Sequence, residues 1–199
     1  MADNKRGREK QADDADRQQR ERDVETAMER GDEPEPPVDE RDLAELETEL
    51  EGVAFPATGR DVVAAVGDRE VRAADDTYTV KQLVPETDVE TFDSPTAVRE
   101  RVQRPTVAGA MKRVVEAAAT LDDPEFPESK REGYLRTFLA LEDIDADDDD
   151  EGIRLIADWI VDRVHEKAAL PGSRDVRREA AKHCRKRGYA VRDDEWLGV

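Results

Sequence analysis

The chain has 199 residues and a formal net charge of -19, and charged residues make up 42% of it. This length allows one medium domain or two small ones. No stretch approaches the 18 apolar residues of a membrane span, and the N-terminal residues lack the apolar core of a secretory signal. We therefore expect no membrane partner and a cytoplasmic protein. Cys184 is the only cysteine, which excludes an internal disulfide.

The composition indicates a salt-rich environment. Acidic residues outnumber basic ones by 51 to 32, and the basic residues comprise 24 Arg and eight Lys. Such a composition is found in disordered chains, and it is also typical of proteins from salt-accumulating archaea, whose acidic surfaces stay hydrated. Apolar periodicity is clear from about residue 53 onward, which favours a folded halophilic protein.

The first predicted region, residues 1–40, is a disordered acidic arm and linker. It has no apolar stripe, and the sequence GDEPEPP at residues 31–37 interrupts any helix. Leu43, Leu46 and Leu50 then recur at i, i+3 and i+7, which predicts a short amphipathic helix that docks on the residues after it.

The second predicted region, residues 41–121, is a small helical domain with a minor β-hairpin. Thr58 is an expected N-cap for a helix that carries three valines and stops at Gly67. The hairpin is expected from Arg69–Ala73 and Thr77–Val80, with Asp75 and Asp76 at its turn.

Two further helices are predicted in the same region. Ser94 as N-cap and Pro95 at the first helical position begin one that ends before Pro105. Residues 107–120 form the next, with an apolar side of Val107, Met111, Val114, Val115 and Ala118.

The third predicted region, residues 122–199, is a helical domain of three helices with a basic last helix. The first helix starts at Pro127, and the second carries an apolar side from Ile153 to Val164. The third runs from Ser173, its expected N-cap, to about Arg187, with Gly188 as its stop. An apolar tail containing Tyr189, Val191, Trp196 and Leu197 is expected to pack down. The predicted fold class is therefore mainly α.

Four motifs in the middle region together form a recognisable pattern. They are Phe55-Pro56-Ala57-Thr58, Gly67-Asp68-Arg69-Glu70-Val71, Thr77-Tyr78-Thr79-Val80 and Glu90-Thr91-Phe92-Asp93-Ser94-Pro95. In this order and spacing they resemble a small haloarchaeal domain family of unknown function. The resemblance covers about residues 53–104, and a more distant one is to a short actinobacterial domain of unknown function. It implies no activity, cofactor or site. The long arm and the C-terminal helices are departures from the usual stand-alone form.

The charge reverses near the C-terminus. Residues 163–192 hold ten Lys or Arg against three acids, a local balance of +7 in a chain of -19. On a helical wheel, Val176, Ala180 and Cys184 fall within about 80° of each other, on the predicted packing face. The opposite arc carries five cations, the candidate nucleic-acid-binding residues: Arg174, Arg178, Lys182, Arg185 and Lys186.

Two interpretations of these five cations compete. Arginine forks can grip a phosphate backbone, with Tyr189 and Trp196 adding base stacking. The cations can instead offset the helix dipole, or dock against the acidic residues 142–151 or a protein partner. At molar salt the Debye length is about 3 Å, which weakens purely electrostatic phosphate binding. A structural or protein-docking role is therefore the preferred hypothesis, and nucleic-acid binding is the alternative.

The remaining residue types give no catalytic or metal site. The run that begins at Asp147 matches only the opening of an EF-hand calcium loop. His165, His183 and Cys184 lack the paired spacing of zinc ligands, so they are expected to be ordinary helix residues. No nucleophile elbow and no phosphate-binding glycine loop occurs. We expect no cofactor, no bound metal and a non-enzymatic interaction or regulatory protein, with the middle domain binding a protein partner.

Overall fold

The computed structural model describes residues 38–73, 76–144 and 151–188. These residues form eight helices and two small antiparallel sheets, so the mainly α fold with a minor hairpin is confirmed. In chain order the elements are α1 (Glu40–Leu50), β1 (Ala57–Thr58), α2 (Gly59–Val66), β2 (Glu70–Arg72), β3 (Thr77–Thr79), α3 (Val80–Leu83), β4 (Thr91–Phe92), α4 (Pro95–Val102), α5 (Pro105–Ala118), α6 (Glu128–Ile144), α7 (Glu151–Lys167) and α8 (Ser173–Arg187).

Three predictions fall on ranges outside the described residues. They are nearly all of the disordered arm, the packed tail after Gly188 and most of the acidic run between α6 and α7. Val38, at the end of the predicted arm, is described: it is buried and forms a β-bridge with Ala73.

The first hydrophobic cluster closes around α1, α2 and α4. Leu43, Leu46 and Leu50 are fully buried, which confirms that α1 is amphipathic and docks by its leucines. The α1 helix packs against α2, β2 and α4. Burying a leucine side chain contributes about 1.5–3 kcal/mol, so these three residues alone are a major source of stability for this cluster.

Local chemistry explains where α2 and α4 begin. Thr58 accepts a hydrogen bond from the Asp61 N–H while the Asp61 side chain accepts one from the Thr58 N–H, a reciprocal capping box. Ser94 accepts from the Ala97 N–H at 3.2 Å, with Pro95 at the first helical position. Both predicted N-caps are confirmed.

The sheets are smaller and more numerous than the sequence predicted. The expected hairpin forms as β2 and β3, with Val71 opposite Tyr78, but its predicted turn residue Asp75 lies outside the described residues. Val80, expected at the end of the second strand, instead begins the short helix α3, because Thr79 and Gln82 form a capping box. A second pair, β1 with β4, was not predicted, because two-residue strands carry no periodic signal.

Close backbone approach explains Gly59 at the start of α2. Its N–H donates to the Glu90 carbonyl at 2.9 Å, beside the β1–β4 pair. A Cβ at this position would lie 2.1 Å from the Pro85 carbonyl oxygen. Glycine therefore lets the chain segment of residues 85–90 wrap the start of α2.

Three arginines hold the charged sides of α1. Arg69 contacts Glu45 at 2.5 Å and Glu49 at 2.8 Å. Arg72 donates to both oxygens of Asp42, at 2.7 and 2.9 Å. Arg99, from α4, contacts Glu40 at 2.6 Å and Glu47 at 3.5 Å. We call Arg69, Arg72 and Arg99 the arginine clamp.

The second hydrophobic cluster joins α5, α6, α7 and α8. Its largest fully buried side chains include Tyr134 and Phe138 on α6 and Ile153, Ile156 and Ile160 on α7. Helix α5 belongs to both clusters: Ala108 packs in the first, and Met111 and Val114 in the second. The domain boundary predicted between residues 121 and 122 stays a prediction.

Helix α5 starts earlier than the pattern predicted. It runs from Pro105 rather than Val107. Pro105 occupies the first helical position, where a backbone N–H would have no partner within the helix, so its missing N–H costs no hydrogen bond. Its buried side is also wider than the predicted stripe, since Ala108, Ala110 and Ala117 are buried as well.

The loop between α7 and α8 is fixed by α6. Tyr134 donates from its hydroxyl to the Pro171 carbonyl at 2.6 Å, and burial raises the pKa of that phenol. Lys130 donates to the Leu170 carbonyl at 2.8 Å, and burial lowers the pKa of its ammonium group. These two bonds set where α8 begins.

Helices α6 and α8 approach each other closely at Gly133. A Cβ on Gly133 would lie 2.6 Å from both the Cβ and the Oγ of Ser173.

We expect Gly133→Ala to destabilise the protein by about 1–3 kcal/mol, because two helices must move apart. Denaturant unfolding measures this change. Gly109→Ala in α5, where a Cβ meets nothing within 4 Å, is the matched control and should stabilise by about 0.5–1 kcal/mol. Equal effects of the two substitutions would contradict the packing argument.

The Asp42–Arg72 pair makes stability depend on pH. The Arg72 guanidinium lowers the pKa of Asp42 from 3.8 to about 2. A carboxylate with a lowered pKa stabilises the folded state above its unfolded pKa and loses that contribution as the pH falls toward its folded pKa. We expect Asp42→Asn to lower the free energy of unfolding by about 1–2 kcal/mol at pH 6, with the deficit shrinking between pH 4 and pH 2. A deficit that stays constant across that range in urea titrations would contradict this assignment.

Candidate functional site

The last helix forms because one of its sides is apolar and its end is glycine. Val176, Ala180 and Cys184 are buried in the second cluster, against α6 and α7, which confirms the predicted packing face. Gly188 adopts a left-handed conformation with φ 82°, and its N–H bonds to the carbonyls of Arg185 and Cys184. The predicted stop is therefore confirmed.

The start of α8 differs from the prediction. Ser173 is the first helical residue, and Gly172 is the N-cap. The Gly172 carbonyl accepts from the N–H groups of Asp175 and Val176, while the Ser173 hydroxyl points to the Ser129 carbonyl at 3.5 Å. Contact of Ser173 with α6 places it inside the helix, so the serine cap predicted there is wrong.

The five predicted cations lie together on the exposed side of α8. All five are exposed, and we call them the α8 basic face: Arg174, Arg178, Lys182, Arg185 and Lys186. They extend over about 18 Å of helix, at 1.5 Å of rise per residue. The whole helix carries seven Lys or Arg and two acids, a net of +5 in a chain of -19.

Two cations of this face contact acids of the same helix. Arg178 lies 3.6 Å from Asp175, and Lys182 lies 2.8 Å from Glu179. Both pairs are at i, i+3 on an exposed surface, where such pairs contribute only about 0.2–1 kcal/mol. They leave the cations accessible and place two carboxylates beside them.

The other three cations are unpaired within the part of the chain that the structure describes. Arg174, Arg185 and Lys186 lie in no ion pair with a described residue. Unpaired cations stand therefore at both ends of the α8 basic face, and mixed charge lies at its centre.

The neighbouring Arg187 behaves differently. It donates to Glu151, the first residue of α7, and so joins the end of α8 to the start of α7. The sequence raised docking of the basic helix against the acidic residues 142–151, and this contact is one such bond. It engages Arg187, which lies outside the five predicted residues.

The other chemistry-bearing residues stay apart. His183 and Cys184 are buried on the packing side of α8, while His165 is exposed on α7. No group of three or more metal-ligating side chains occurs among the described residues. Glu151 and Gly152, the last residues of the matched EF-hand opening, are the first residues of a regular helix.

Sequence reasoning missed two partly buried arginines. Arg177 on α8 has a buried Nε with no hydrogen-bond partner among the described residues. Arg101 on α4 pairs with Glu90 inside the first cluster and lies over the Phe92 ring at 5.7 Å. No local pattern joins positions 90 and 101, so only the tertiary structure reveals this pair.

Comparison with known proteins gives one match. Residues 38–114 are similar to a family of unknown function, DUF5789. This confirms the predicted resemblance to a family of unknown function and extends it beyond residues 53–104, to α1 on one side and most of α5 on the other. The α8 basic face lies outside the matched residues.

No curated protein and no solved structure matches the chain. Among the described helices, none is long and apolar enough to cross a lipid bilayer.

The geometry of α8 predicts that its exposed cations contribute little to folding. We expect Arg174→Gln/Arg185→Gln/Lys186→Gln to change the free energy of unfolding by less than about 0.5–1 kcal/mol, because these side chains are exposed and make no ion pair with the described part of the chain. Val176→Ala, on the buried side of the same helix, should cost about 1–3 kcal/mol. Denaturant titrations of both variants test this, and a large loss in the triple variant would show that the face is structural.

Proposed function

We propose that this protein is a non-enzymatic cytoplasmic interaction or regulatory protein of a halophilic archaeon, which docks a protein partner through the α8 basic face. The observation that carries the proposal is the pattern of charge on that face. Three cations that pair with none of the described residues flank two cations that already contact carboxylates.

The mixed charge favours a protein partner over nucleic acid. A phosphate backbone presents negative charge along its whole length, so Asp175 and Glu179 at the centre of the face oppose it. A protein surface can present acids toward Arg174 and Lys186 and donors toward the two carboxylates. Such short, geometrically matched contacts survive high salt better than a diffuse electrostatic field does.

The acidic composition supports a salt-rich cytoplasm. With a net charge of -19, self-repulsion destabilises the folded chain at low ionic strength and is screened at molar salt. The thermal unfolding midpoint should therefore rise between 0.2 M and 3 M KCl. The DUF5789 match supports no particular activity, and a haloarchaeal origin of the matched domain is part of this proposal.

The docking proposal is tested with two charge-reversal variants of equal charge change. The first is Arg174→Glu/Arg185→Glu/Lys186→Glu, on the face. The second is Arg136→Glu/Arg154→Glu/Lys167→Glu, at exposed positions on α6 and α7. Each variant is cross-linked in a haloarchaeal lysate at 2 M KCl, and the cross-linked proteins are identified by mass spectrometry. We expect one protein to be cross-linked to the wild type and to the control variant but not to the face variant.

Fluorescence anisotropy of labelled DNA and RNA from 0.2 M to 3 M KCl tests the alternative. If the face docks a protein, any nucleic-acid binding should disappear as the salt concentration rises. The two charge-reversal variants should then weaken that binding equally. Binding that persists at molar salt and is lost only in the face variant would establish nucleic-acid recognition by α8 instead. Circular dichroism at each salt concentration confirms that the variants are folded.

A further inference from the structure

The contacts of α1 with the first cluster lie far along the chain from the α8 basic face. Three fully buried leucines anchor α1 in a groove formed by α2, β2 and α4. Five carboxylates of the same helix contact the arginine clamp: Glu40, Asp42, Glu45, Glu47 and Glu49. Every acid of α1 thereby contacts an arginine from outside this helix.

The charged contacts lie on both flanks of the leucine stripe. At 100° per residue, Glu40 and Glu47 lie about 70–90° to one side of the stripe's centre, where Arg99 contacts both. Asp42, Glu45 and Glu49 lie about 70–130° to the other side, where Arg69 and Arg72 contact them. The leucines provide the apolar anchor, and the flanking arginines hold the carboxylates on either side of it.

Side chains rather than backbone hold α1 in place. Among the described residues, the backbone hydrogen bond that ties this segment to the rest of the domain is Asp39 N–H to the Arg72 carbonyl, at 2.9 Å. The other contacts depend on the pattern of leucines and acids. Any helix that presents this pattern can make them, which is how amphipathic helices are recognised in grooves.

We infer that the groove of α2, β2 and α4, with its arginine clamp, is a receptor for an acidic amphipathic helix of a partner protein, and that α1 occupies it in cis. The partner helix carries leucine-like residues at i, i+3 and i+7 with carboxylates on both flanks, as α1 does. Because a tethered helix has an effective concentration near the millimolar range, α1 excludes weak competitors. Exchange of α1 for the partner helix would then free α1 and the chain that precedes it.

The probe is a fluorescein-labelled, capped peptide with the sequence of residues 38–52, tested on the full chain at 2 M KCl. The first variant, Glu45→Gln/Glu47→Gln/Glu49→Gln, weakens α1 and leaves the receptor intact. The second, Arg69→Gln/Arg99→Gln, removes clamp arginines that α1 and the peptide both need. A peptide with its three leucines changed to alanine is the control ligand.

Exchange predicts opposite outcomes for the two variants. The glutamate variant should bind the peptide at least about 10-fold more tightly than the wild type, because its own helix competes less well. The arginine variant should show no gain. If neither variant gains, or both gain equally, the inference is wrong and α1 is a fixed part of the fold.

Hydrogen exchange on the wild-type chain gives a test that does not depend on either variant. With the peptide at millimolar concentration, amide protection in α1 should fall at least 10-fold, while protection in α2 and α4 stays unchanged. Loss of protection throughout the domain, or no change in α1, would overturn the inference. Neither measurement involves α8, so both outcomes are independent of the docking proposal.

Discussion

Burial of helix α5 on several sides is the constraint on which the two hydrophobic clusters depend. Ala108 faces the first cluster, whereas Met111, Val114 and Ala118 face the second. Small residues on this helix let α3, α4, α6 and α7 all pack against it. Arg104 and Arg113, at its start and on its exposed side, add ion pairs to Glu142 and Asp158 of the second cluster. A change of volume on this helix would therefore affect both clusters together.

Charge is used in two different ways in this acidic chain. In the first cluster the arginines form ion pairs within the domain. Arg69, Arg72 and Arg99 pair with acids of α1, and Arg101 pairs with buried Glu90. Removing one partner of such a buried pair leaves an uncompensated charge, which is strongly destabilising. On α8 most cations face solvent, and the proposed function assigns them to binding rather than to folding.

One of the two proposed surfaces lies inside the residues that match the family, and the other lies outside them. The groove of α1 lies within residues 38–114, which are similar to a family of unknown function, whereas the α8 basic face lies beyond them. The proposed arrangement is a domain that receives one acidic helix, followed by helices that present a basic face. An acidic partner segment suits both surfaces, because the arginine clamp and the α8 cations each require carboxylates.

The sequence by itself determined the elements whose signals are local. Leucine spacing predicted α1, Thr58 and Ser94 predicted two helix starts, and Gly188 predicted the end of α8, because caps and periodicity act within a few residues. The five residues of the α8 basic face were also identified from the helical wheel. Only the tertiary structure decided which cations form ion pairs with distant parts of the chain. Arg69 and Arg187 look alike in sequence, yet Arg69 reaches two glutamates of α1, 20 and 24 residues away, and Arg187 reaches Glu151, 36 residues away. Ion pairs, the β1–β4 pair and the position of Ser173 depend on contacts between distant segments, which no local pattern encodes.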